Sequence, residues 1–299
     1  MAPAGPAGKA IARAAPAPHK GGIKVIGQRA RGFMGKLSIS KAWDESRQVL
    51  ARDGGLLATV ALALIVLPGV VAGMLNPQPA QGQMPELGWP TLVTALSFLL
   101  GLVGQIALIR LAIGSRLTVG EAIGHGVRRA LPYIAATLLW VAPFLIVIAL
   151  VVGANYVPGQ VSPGGAGLVL LIALVMLVLA IRMLMTAPVA SAETSGPIAI
   201  IRRSWDLTRG NWWRLFAFFL LFLIAVVIVM LAVGAILGVV STVVFGDIEP
   251  MSVGALLVAL VTQVAAAAIT VVFIVMLARI YVQLAGEGEV EASVPSSGT

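Results

Sequence analysis

Three arginines stand inside apolar runs: Leu108-Ile109-Arg110-Leu111, Ala180-Ile181-Arg182-Met183 and Ala278-Arg279-Ile280-Tyr281. A guanidinium at the edge of hydrocarbon either reaches the headgroups along its stem or pairs an anion. That anion can be a lipid phosphate or a carboxylate, for which Asp206 and Glu121 are the candidates. A second group, Arg202, Arg203 and Arg209, interleaves with Trp205, Trp212 and Trp213, and Arg128 with Arg129 forms a third. Cations beside indole rings suit the depth of anionic headgroups. These arginines, with Trp205 and Trp212, are the lipid-binding candidates.

Hydrolytic chemistry lacks its parts. Cleaving a phosphodiester needs a metal, or an acid and a base converging on the phosphate. His19 lies in the N-terminal tail and His125 in a basic helix; both read as surface residues. None of the 12 acidic residues falls inside an apolar stretch: Glu86, Asp247 and Glu249 belong to loops, and Glu287, Glu289 and Glu291 to the C-terminal tail. There is no cysteine, hence no disulfide, thiolate site or cysteine nucleophile. No P-loop, nucleophile elbow or His-Glu-x-x-His occurs. The expectation is a protein without catalytic residues, metal or cofactor.

The elements that must position these side chains are membrane helices. Six apolar stretches, Gly55–Gly73, Thr91–Ile113, Tyr133–Val152, Gly167–Met185, Trp213–Val240 and Val253–Met276, each approach the roughly 20 residues that cross a bilayer. Hydrophobic residues make up 59% and charged residues 11%, with mean hydropathy +1.02. A soluble domain carries about 25% charge, so a soluble core is excluded. The connections Met74–Pro90, Gly153–Ala166 and Ser241–Ser252 hold no Lys or Arg, so all 20 fall on one side. The positive-inside rule makes that side cytoplasmic, with both termini there. The net charge of +8 flanks hydrophobic helices and therefore points to anionic headgroups, not nucleic acid. Arg in excess of Lys, with heavy Ala, Gly and Val usage, resembles a GC-rich bacterial genome. The location expected is a bacterial inner membrane.

Residues 1–35 read as a disordered basic tail and 286–299 as a disordered acidic one, flanking a membrane domain over 36–285. A short amphipathic helix precedes each odd-numbered crossing. The first spans about Ser38–Arg52, with Ile39, Trp43, Val49 and Leu50 on one face. The second spans about Thr118–Ala130 and opens on a Thr118/Glu121 capping box. The third spans about Pro197–Arg209, with Ile198, Ile201, Trp205, Thr208 and Trp212 on a stripe and Arg202 spaced to pair Asp206. Gly210 should end it and Asn211 cap the next helix.

Ala42-Trp43-Asp44-Glu45-Ser46-Arg47 matches Ser204-Trp205-Asp206-Leu207-Thr208-Arg209, and the three intramembrane arginines recur in step. Both features suggest a period of about 80 residues, one amphipathic helix plus one hairpin, giving units 36–113, 114–190 and 191–285. Units with two crossings share one orientation, unlike the inverted halves common in carriers. Within the crossings Gln105 and Gln263 suggest interhelical hydrogen bonds worth about 0.6 kcal/mol. Gly101 with Gly104, Gly234 with Gly238, and Ala265–Ala268 suggest packing seams, and Pro68 and Pro143 kinks.

The run Pro197–Phe216, above all Arg203-Ser-Trp-Asp-Leu-Thr-Arg-Gly-Asn211, resembles the signature of the glycerophosphoryl diester phosphodiesterase membrane domain family. The resemblance extends over about 36–285, mainly as hydropathy and hairpin spacing beyond that run. It implies an integral inner-membrane protein, fused in some members to a soluble phosphodiesterase barrel. Here only Ala285–Thr299 follow Leu284, so the family's title is not carried over as an activity. The function expected is non-enzymatic: binding or organising anionic lipid or a membrane partner, itself or another protein. The alternative is a transporter of a lipid-like or hydrophobic anion.

Overall fold

Hydrocarbon offers no water to backbone N–H and C=O groups, so long apolar runs fold as helices that satisfy their own bonds. The computed structural model describes residues 37–75, 88–114, 117–154, 156–157, 160–161, 163–244 and 252–286. Within them, six helical segments are long and apolar enough to cross a membrane: Ile39–Leu75, Trp89–Ile113, Val119–Val151, Gly165–Ala192, Trp212–Val243 and Val253–Ala285. The protein is an all-α multi-pass membrane protein. Both tails, His19, and the acidic residues of the loops and C-terminal tail lie outside the described residues.

Helix α1 (Ile39–Ala61) runs through a π-helical turn, Leu62–Val66, into α2 (Leu67–Leu75). Then follow α3 (Trp89–Ile113) and α4 (Val119–Ala154). A two-residue antiparallel ladder, β1 (Tyr156–Val157) with β2 (Gln160–Val161), leads to α5 (Pro163–Arg182). Short helices α6 (Thr186–Ala192) and α7 (Pro197–Thr208) precede the long α8 (Trp212–Val244) and α9 (Val253–Ala285).

Helix starts obey local chemistry. The Ser38 hydroxyl accepts from the Lys41 N–H at 3.3 Å, and the Ser252 hydroxyl from the Ala255 N–H at 3.1 Å. Thr118 and Glu121 form the expected capping box, with bonds of 2.8 and 3.3 Å between each side chain and the other's N–H. Gly210 adopts φ +86, a left-handed conformation that costs a residue with a Cβ, and α7 stops there. The next helix begins on the backbone carbonyl of Asn211, which accepts from Arg214 and Leu215; its side chain makes no cap.

Only α7 is a separate amphipathic helix. The other two amphipathic segments continue without a break into their crossings, as α1 and α4. Nothing between Arg52 and Leu57 forces a stop, and Pro132 is absorbed within α4, as membrane helices allow. Helicity likewise persists through Pro143. Beside Pro68, which has no N–H to donate, the chain widens into the π-helical turn, where the Leu67 N–H bonds to the Leu62 carbonyl.

The buried faces also differ from the expected stripes. In α1 the inward line is Ala42, Ser46 and Val49, while Trp43 is exposed. In α7 it is Ile200, Ser204, Leu207 and Thr208, with Ile198 and Trp205 turned outward. Small or hydroxylated side chains win because they let these helices sit close on their neighbours. Ser204 donates to the Arg182 carbonyl at 2.8 Å, as only a short hydroxyl could.

Packing is concentrated at the basic end. The last two turns of α3, Ile106–Ala112, are buried all round, as are Ile274–Ala278 of α9. Toward the other end, Leu92, Leu96 and Phe98 of α3, Leu145 and Leu150 of α4, and Leu231 and Val243 of α8 are exposed. A helix apolar on its whole circumference with half that surface uncovered requires lipid around it. Phe273 of α9 joins this core to α8 by stacking on Phe218 at 6.0 Å, with Phe222 4.9 Å away.

Candidate functional site

The three intramembrane arginines sit in three different environments at the basic end. Arg279 of α9 donates from Nε to Glu45 of α1 at 2.9 Å, and Glu45 also pairs Lys41 at 3.5 Å. Arg182 ends α5 with its guanidinium carbon 4.9 Å from the Trp205 ring centre, a cation–π contact, while its Nη1 is buried without a hydrogen-bond partner. Arg110, in the last turn of α3, is 6% exposed and makes no hydrogen bond or ion pair among the described residues. The carboxylates considered for these arginines take no part: Glu121 caps α4 and Asp206 is exposed.

Helix α6 shows why the amphipathic part of α4 is basic. The last carbonyls of α6, from Ala190 on, have no helical donor. His125 Nε2 lies 2.8 Å from the Ser191 carbonyl, and because a carbonyl only accepts, this nitrogen carries the proton. Arg129 donates to the Ala190 carbonyl at 2.9 Å, to that of Glu193, and to that of Ser195 at 3.4 Å. Ser191 in turn donates to the Ile106 carbonyl of α3 at 3.0 Å. His125 is therefore a half-buried clamp, not the surface residue expected. Arg129 is likewise structural.

Glu193, just past α6, accepts from Arg203 at 2.9 Å and from the Tyr281 hydroxyl at 3.1 Å. Arg203 thus reaches back to the preceding loop. Arg202 and Asp206, spaced to pair with each other, form no ion pair and remain exposed. Arg209 and Arg128 are also exposed, the latter bonding the Gly124 carbonyl of its own helix at 3.2 Å. Beside them lie Trp205, 41% exposed, and Trp213, 74% exposed. Trp212 stacks on Phe216 at 5.3 Å and donates to the Val178 carbonyl at 3.4 Å, tying α8 to α5. The outward surface of α7 and the turn after it therefore carry cations with no acceptor among the described residues, together with an indole and an aliphatic side chain. Such a surface can hold anionic headgroups over an apolar contact.

Two depressions complete the description. A groove of about 370 Å³ runs between α1, α8 and α9, walled by Ile39, Trp43, Phe218, Phe222 and Met276, with Asp44 beside it. A cleft of about 410 Å³ opens in the opposite half of the bundle between α2, α3 and α9, lined by Gly69, Gly73, Ser97, Gly101 and Gln263. There Ser97 donates to the Pro68 carbonyl at 2.9 Å. Among the described residues Gln263 forms no interhelical bond, whereas Gln105 accepts from Tyr133 at 3.4 Å.

Of the expected seams, Gly104 packs closely, since a Cβ there would lie 3.0 Å from Leu64 Cβ. Gly101 lines the cleft, and Gly234 and Gly238 face open space. The tightest approach was not read from the sequence: a Cβ on Gly126 would lie 2.6 Å from the Val103 carbonyl oxygen. Isolated glycines in a helix are too common for that signal to be found. Glu45 and Glu193 were missed because their partners are remote in sequence.

No curated protein and no solved structure matches this chain. Residues 37–284, nearly the whole of the helical region described above, match the family described as a domain of unknown function, DUF7847, and the chain belongs to that family.

Proposed function

We propose that this protein is a non-enzymatic component of a bacterial inner membrane that binds or organises anionic lipid at its basic end, with both termini cytoplasmic. One observation carries the reading. Arg202 of α7 and Arg209 just after it lie exposed and without an acceptor among the described residues, beside outward-facing Trp205 and Ile198, while Arg203, Arg129 and Arg279 are occupied by protein acceptors. Positive charge next to outward apolar surface is the arrangement an anionic leaflet attracts, at about 1 kcal/mol per cation. The likeness to the glycerophosphoryl diester phosphodiesterase membrane domain, carried by Arg203–Asn211, fits the same location and supplies no activity.

Lipid co-purification tests it. Wild type and Arg128→Gln/Arg202→Gln/Arg209→Gln are taken from membranes of mixed phosphatidylglycerol and phosphatidylethanolamine, and retained lipid is measured by mass spectrometry. Wild type should enrich the anionic lipid several-fold over the bulk membrane, and the variant should fall toward bulk. Equal enrichment in both would reject the reading. The transporter alternative is favoured by the cleft at Gln263 and opposed by the dense packing around Ile106–Ala112. Flux of a hydrophobic anion through vesicles holding the protein would support it.

A further inference from the structure

We propose that Arg110 is the centre of an internal binding site for a phosphate group, separate from the exposed surface of α7. The described carboxylates of the basic end leave it alone. Glu45 holds Arg279 and Lys41, Glu193 holds Arg203 and Tyr281, Asp53 holds Arg52, and Glu121 caps α4. Asp44 and Asp206 are exposed. The guanidinium thus offers five N–H donors with no protein acceptor among the described residues, on a residue 6% exposed.

Shielding most of a charged side chain from water is unfavourable unless an anion meets the part that remains accessible. The C-terminal end of α3 favours a cation by only about 0.3–1 kcal/mol, too little to offset that cost. The surroundings add positive charge: His125 lies within the field of Arg110, Arg128 and Arg129. His125 and Arg129 are donors that hold the carbonyls of Ser191, Ala190, Glu193 and Ser195, and neither can neutralise a cation. Among the described residues no carboxylate supplies that anion, and we assign it to a ligand from outside the chain. At the last turn of a membrane-spanning helix the abundant anion is phosphate, and its oxygens match the guanidinium fork in bidentate fashion. A lipid headgroup and a free phosphate share this chemistry.

Thermal unfolding of the full chain, stripped of lipid and held in neutral detergent without phosphate, distinguishes the sources. One arm adds inorganic phosphate; the other adds phosphatidylglycerol, with phosphatidylcholine as control. Wild type should melt at higher temperature in at least one arm: phosphatidylglycerol alone identifies a headgroup, and response to inorganic phosphate identifies a free anion. Arg110→Met should melt at or above wild type without anion and show no shift with it. Arg202→Gln/Arg209→Gln should keep the full shift, so failure of the surface reading leaves this site standing. If Arg110→Met does not fold, Arg110→Lys serves. It retains the charge without the fork, and its half-saturating concentration should rise on the order of tenfold. No shift for wild type in either arm, an unaltered shift in Arg110→Met, or unchanged affinity in Arg110→Lys would overturn the proposal.

Discussion

Glu45 and Arg279 meet at 2.9 Å across 234 positions of sequence, joining the first helix of the bundle to the last. The side chains are only 16% and 21% exposed, so the bond is sheltered though not dry. Removing one partner strands the other. Glu45→Gln should lower stability by about 1–3 kcal/mol. Arg279→Gln should cost a similar amount, and the double variant less than the sum, because neither charge is then left alone. Reversible unfolding in detergent measures this; strict additivity would show that the pair is not coupled.

Gly126 permits α4 to touch the backbone of α3 at Val103. Gly126→Ala forces the helices apart and should cost about 1–3 kcal/mol. Gly124→Ala, on the same helix but with nothing within 4 Å, should be neutral or stabilising by about 0.5–1 kcal/mol. Gly234→Ala and Gly238→Ala should behave like Gly124→Ala. A large loss of stability from either would reveal a partner helix on that face of α8.

Arg129 holds three carbonyls at the end of α6 and its following loop. Arg129→Met leaves them without donors and should destabilise by about 3 kcal/mol, with Arg129→Lys intermediate because one ammonium cannot span all three. Hydrogen exchange should accelerate over Val189–Ser195 in both variants. Protection unchanged there would place the clamp elsewhere.

The crossings were legible because each apolar run is long and the cations fall in alternate connections. Local devices were legible too: the Thr118/Glu121 box depends on spacing alone, and the break at Gly210 on one residue's freedom from a Cβ. The continuity of α1 and α4 was not, since an amphipathic pattern followed by an apolar one reads identically whether the helix bends or runs on. Nor were the partners of the arginines. Arg110, Arg182 and Arg279 have similar neighbours in sequence, yet tertiary packing gives one nothing, one an indole and one a carboxylate. The stripe on α7 misled for a related reason: Ser204 and Thr208 face inward because bonds to the Arg182 carbonyl outweigh their polarity.

Accessibility of single cysteines tests the orientation most directly, and the chain contains no cysteine of its own to confuse it. Arg202→Cys and Ser252→Cys are labelled in intact cells with a maleimide that cannot cross the inner membrane. Ser252→Cys should react at once, and Arg202→Cys only after the membrane is opened. Reaction of Arg202→Cys in intact cells would put the cationic end outside and contradict both the topology and the headgroup contacts proposed for it.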